Sequence, residues 1–75
     1  MKTLQEVRSG WEKKSELIAE ATLDSGTVLV VTKHNPSSYD LLRYFQMAGG
    51  WEVSCDYRGH SPEELITKLL TLVNL

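Results

Sequence analysis

This chain is short of almost everything that announces a chemistry. It has one cysteine, Cys55, which excludes an intramolecular disulfide framework and a cysteine-rich zinc site. It has two prolines, and no glycine cluster at the spacing of a nucleotide-binding loop, so nothing marks a site for a nucleoside phosphate. It has no charge of one dominant sign: 8 Lys+Arg stand against 10 Asp+Glu, a net −2, which argues against a nucleic-acid binder working through bulk positive field. No apolar run approaches the length needed to span a bilayer, and Met1-Lys2-Thr3 leads straight into polar sequence without a secretory core. The two histidines, His34 and His60, have no third histidine or acidic residue at metal-ligand spacing, so no metal and no cofactor are expected. With 75 residues the expectation is one small cytoplasmic domain, residues 1–75, near the lower size at which a single core sustains itself.

What the chain does have is a set of apolar segments punctuated by turn signals. Gly26-Thr27-Val28-Leu29-Val30-Val31-Thr32 is opened by Asp24-Ser25, and it reads as a strand buried on both faces. Residues 2–8 read as a short edge strand, although Gln5 and Glu6 favour helix. Ser9-Gly10-Trp11-Glu12 fits a capping box, with a helix expected over about 10–22 carrying Trp11, Leu17, Ile18 and Ala21 on one side. Asn35-Pro36 fits the start of a second helix, 36–48, whose stripe is Leu41, Leu42, Phe45 and Ala48. Trp51 to Arg58 alternates apolar and polar, as a strand with one wet face does. Ser61-Pro62-Glu63-Glu64 is the clearest helix start, and Leu65, Ile66, Leu69, Leu70 and Val73 give the helix over 62–73 a wide apolar face.

Together these segments spell strand–helix three times over. The expected fold is a small α/β (βα)3 sandwich with a three-stranded, mainly parallel sheet and the 26–32 strand at its centre. In such a sheet the strand-to-helix loops gather at one rim, where ligands bind. Those loops hold Arg8 and Ser9, then Lys33, His34 and Asn35, then Arg58, His60 and Ser61, a composition suited to an anion held at helix N-termini. The plainer assignment of the same residues is helix capping and ordinary exposed loop.

The order of segments from Ser9 to Arg58 resembles the TusA/SirA-like sulfur-carrier family. The matching parts are Leu23-Asp24-Ser25-Gly26-Thr27-Val28-Leu29-Val30-Val31, the Asn35-Pro36-Ser37-Ser38 helix start, and Gly49-Gly50-Trp51-Glu52-Val53. The resemblance implies a two-layer α/β fold and, in that family, a persulfide carried by the cysteine of a Cys-Pro-x-Pro motif opening the first helix. Here that position reads Ser9-Gly10-Trp11-Glu12, so the implied thiol chemistry survives only if Cys55 takes it over. On its alternating strand Cys55 shares a face with Trp51, Val53 and Tyr57 and reads as a small core hydrophobe.

The function expected from these residues is a non-catalytic protein-interaction module, a regulator, inhibitor or assembly subunit of bacterial or phage type. Trp11, Tyr39 and Tyr44 are the candidate contacts to a protein partner or a second copy, because large aromatic side chains dominate interfaces. The sulfur-carrier relative using Cys55 and the anion-binding rim are the alternatives.

Overall fold

A computed structural model describes all 75 residues. Helix α1 (Leu4–Trp11) is followed by strands β1 (Glu16–Thr22), β2 (Val28–Asn35), β3 (Ser38–Met47) and β4 (Gly50–Gly59), and by helix α2 (Pro62–Val73). The strands form one sheet in the order β1-β2-β3-β4, and every neighbouring pair is antiparallel. The class is α+β, a four-stranded meander with a helix on each face, and the expected three-stranded parallel (βα)3 sandwich is wrong.

The errors have identifiable causes. The first twelve residues carry two capping-box patterns, and the one that operates is Thr3–Glu6, not Ser9–Glu12. The Thr3 hydroxyl accepts from the Glu6 amide at 3.2 Å and the Glu6 carboxylate accepts from the Thr3 amide at 3.1 Å. This turns the expected edge strand at 2–8 into helix α1. Lys13-Lys14 is then a turn, and Glu16–Thr22, expected as helix, is extended. Its composition favours helix, but hydrogen bonding along β2 outweighs a propensity difference of a few tenths of a kcal/mol per residue.

The expected helix over 36–48 is strand β3. Asn35 caps no helix: its side-chain oxygen accepts from the amide of Ser37 at 3.0 Å, an Asx turn that reverses the chain over Pro36-Ser37. Leu41 and Leu42 are adjacent because they face opposite sides of a sheet covered on both, which removes the period-two alternation that would have marked a strand. The 26–32 strand, the strand character of 51–58 and the helix at 62–73 match β2, β4 and α2.

Two apolar layers result. On one face Val7 of α1 packs with Val28, Val30, Leu42 and Tyr44, with Leu4, Trp51 and Val53 at the margin. On the other, Leu65 and Leu69 of α2 pack with Leu29, Val31 and Leu41, flanked by Ala19, Ala21 and Ile66. The start of the chain is strapped across the β4 edge, where the Trp51 amide donates to the Lys2 carbonyl at 2.9 Å. Gly50, at φ +119°, lets that strap pass: a Cβ there would lie 2.6 Å from the Lys2 nitrogen. No helix is long and apolar enough to cross a membrane.

Candidate interaction surface

The antiparallel order breaks up the expected rim. Arg8 and Ser9 belong to α1, away from the other two loops. Arg8 is consumed by carboxylates, donating to Glu12 at 2.8 Å and to Glu20 at 2.8 Å. These bonds hold its guanidinium above the usual arginine range and leave it committed to fastening α1 onto the sheet. The Ser9 hydroxyl accepts from Gln5 at 3.3 Å along the helix.

The β2–β3 turn and the β4–α2 junction do meet, since His60 Nδ1 lies 2.8 Å from the Ser37 carbonyl oxygen. Their polar groups point at one another and not at a common point. Asn35 is engaged with Ser37, and the Ser61 hydroxyl caps Glu64 and donates to Glu63 at 2.8 Å. Arg58 donates to the buried Asp40 at 2.7 Å, a bond that raises the arginine pKa further. Lys33 and His34 lie beside this turn, with His34 exposed. No group of three His, Cys, Asp or Glu side chains could hold a metal ion, and no buried side-chain polar atom lacks a partner.

An open groove of about 690 Å³ runs between α2 and β4. Its charges are satisfied internally: Arg43 donates to Asp56 at 2.7 Å, and the Lys68 ammonium sits 3.7 Å from the centre of the Tyr57 ring. Cys55, read above as a core residue, is exposed near the β4 edge, with its thiol donating to the Tyr57 carbonyl at 3.4 Å. Desolvation by its neighbours, with the Asp40 carboxylate, pushes the thiol pKa up, the opposite of what a nucleophilic thiolate needs.

The three aromatic candidates separate. Tyr44 is fully buried, its hydroxyl donating to Glu12 at 2.7 Å and its ring lying under Arg8, so it belongs to the core and touches no partner. Desolvation and the Glu12 carboxylate raise its phenol well above the usual value. Tyr39 is half-buried against the α2-side layer. Only Trp11, 47% exposed at the end of α1, is open to solvent.

Exposed apolar side chains also lie near the β1 edge, on both faces of the sheet. Lys68 and Thr71 of α2 face the β4 groove. At 100° per residue, Ile66, Leu70 and Val73 therefore project from the opposite flank, toward β1. Leu70 is 51% exposed; Leu17 of β1 is 50% exposed, but it pairs with Thr32 and so lies on the α1 face of the sheet. Ile18 and Val73 are exposed as well. The outer backbone of β1 bonds to no other segment. Proline and lysine are absent from it, and what blunts it is the pair Glu16 and Glu20 and a register shift between Leu17 and Ala19. The opposite edge, β4, carries Glu52, Asp56 and Arg58 and is partly closed by the Lys2 strap.

The composition of Glu16–Thr22 favours helix and so hides β1 from a sequence reading. The signal that could have found the flank was the width of the α2 stripe, which exceeds what one side of a sheet can cover. No protein-family model, curated protein or solved structure matches this chain.

Proposed function

We propose that this chain is a small cytosolic protein-interaction module, of regulator or assembly-subunit type, that works through contact and not through chemistry of its own. The observation that carries the reading is the unpaired β1 edge together with the exposed apolar flank of α2, Leu70 and Val73, on one side of it. Extended segments join such edges by main-chain hydrogen bonding, and the side chains alongside supply selectivity. Isolated exposed apolar residues are ordinary on a protein surface, but a row of them beside an unpaired strand marks a contact site or an aggregation hazard.

The test uses Leu70→Glu, which places a charge in that flank without touching the buried Leu65–Leu69 contacts. The wild type and the variant, matched by circular dichroism and melting temperature, are compared for binding, both to themselves and to proteins of the native host lysate. The reading expects an interaction that the wild type makes and Leu70→Glu loses. Indistinguishable behaviour of the two proteins in both assays would remove it.

A further inference from the structure

We infer that residues 1–15, comprising the Lys2 strap, helix α1 and the turn after it, are a releasable cover. They leave the sheet as one unit while β1–β4 and α2 stay folded, and in leaving they bare the apolar layer they seal. This goes beyond the interaction-module reading and does not rest on it.

The segment is held to the sheet at few points. Val7 is its one buried side chain, with Leu4 at the margin of the same layer. The directional ties come to one for each of three strands. The Trp51 amide of β4 donates to the Lys2 carbonyl at 2.9 Å, Arg8 donates to Glu20 of β1 at 2.8 Å, and the Tyr44 hydroxyl of β3 donates to Glu12 at 2.7 Å. The Arg8 guanidinium also lies 5.7 Å from the centre of the Tyr44 ring. The other bonds of the segment run within it and travel with it: Thr3 with Glu6, Gln5 with Ser9, Arg8 with Glu12, and the Ser15 amide with the Glu12 carbonyl.

What stays behind has a core of its own. Successive side chains of a strand point to opposite faces, so the sheet keeps the two apolar layers apart. Leu29, Val31, Leu41, Leu65 and Leu69 form the α2-side layer, and no residue of α1 is among them or their neighbours. The strand pairings β1–β2, β2–β3 and β3–β4 do not pass through α1 either. Segments with few buried apolar contacts are the ones that open below the global unfolding free energy. Release of this one exposes Val28, Val30, Leu42 and Tyr44, all of which are buried while the cover is closed.

Native-state hydrogen exchange on the full chain, followed through sub-denaturing concentrations of urea, tests the proposal. The Val7 and Glu12 amides report on α1, and the Trp51 amide reports on the strap at the other end of the segment from the Glu20 and Tyr44 bonds. All three are expected to share one opening that depends weakly on urea. Their protection should be at least about tenfold lower than that of the slowest amides of β2, β3 and α2, which follow global unfolding. Glu20→Gln lies outside the segment and removes the charge that holds Arg8. It should speed exchange at all three amides by one common factor, about threefold. Ile66→Val takes a methyl group from the α2-side layer, which the closed and open forms share. It should speed the slowest amides about threefold and leave the three cover amides at their wild-type rates. Cover amides that exchange only with the slowest ones, or that accelerate with them in Ile66→Val, overturn the inference. So does a response to Glu20→Gln that is absent at Trp51, because the end of a helix would then be fraying and no unit would be released.

Discussion

The two faces of the sheet are closed by helices of different kinds. Helix α2 has 12 residues and places two fully or nearly fully buried leucines, Leu65 and Leu69, into its layer. Helix α1 has 8 residues and contributes one buried side chain, Val7. What α1 lacks in apolar contact it supplies in polar fastening: the Thr3–Glu6 box at its start, the Lys2 strap, and the Arg8–Glu12–Glu20 cluster under which Tyr44 is hydrogen-bonded. Non-directional burial holds one face and directional bonds hold the other. A helix too short to be stable in isolation still docks in a fixed place when its ends are tied.

The contrast can be broken most sharply in the core. Leu65→Ala is expected to cost about 3 kcal/mol, the middle of the range for a fully buried leucine, and Val7→Ala about half that, since two methyl groups are lost and the site is shallower. Chemical denaturation monitored by tryptophan fluorescence checks the ratio; equal costs would mean that α1 is as much a core helix as α2. Next in size is Gly50→Ala. Its added Cβ collides with the Lys2 backbone and its φ of +119° is strained for any L side chain. A loss of about 2 kcal/mol is expected, with faster hydrogen exchange at Trp51 and along α1 but not along α2.

Tyr44→Phe removes one bond to a carboxylate and should cost about 1–2 kcal/mol while leaving the apolar packing intact. Because the Tyr44 phenol titrates higher folded than unfolded, its contribution is complete below the ordinary tyrosine pKa near 10 and fades as pH rises through the raised folded value. Tyr44→Phe should therefore flatten the alkaline limb of the stability profile, which a denaturation series from neutral to strongly alkaline pH would reveal.

The smallest effect is expected at Glu6. Its pKa is lowered by the bonds it makes with the Thr3 backbone and side chain, so its contribution is full above the ordinary carboxylate range and is lost as pH falls through the lowered folded value. Glu6→Gln should blunt that acid response, read as a smaller drop in melting temperature between pH 6 and acid in the variant; an unchanged drop would show that the box contributes nothing to the α1 face.

How much of this could be read beforehand varies along the chain for physical reasons. Ser61-Pro62-Glu63-Glu64 combines several local signals pointing the same way, and α2 begins there. The Val28–Val31 run is apolar on both sides and carries no alternative as a helix of useful length, and β2 follows. The segments misread are those whose local preference and final environment disagree. Glu16–Ala21 is built of residues that favour helix, and only the neighbouring β2 edge extends it. Leu41-Leu42-Phe45-Ala48 sits at helical spacing by coincidence, because a strand covered on both faces loses its own period. The candidate site failed with the topology. Once the strands run antiparallel, Arg8 faces Glu12 and Glu20, Tyr44 is sealed beneath it, and the loops expected at one rim are divided.

Residue order alone settled the apolar hub, the strand character of 51–58 and the closing helix, because each follows from turn residues, capping or composition acting within a few positions; the expected single face for Trp51, Val53, Cys55 and Tyr57 fails at a bulge that turns Tyr57 to the α2 side. The tertiary structure decided the direction of every strand pairing, the choice between two capping boxes, and which edge was left bare. Those outcomes turn on which distant segment supplies hydrogen bonds and cover, a competition whose terms lie too far apart along the chain for local pattern to weigh.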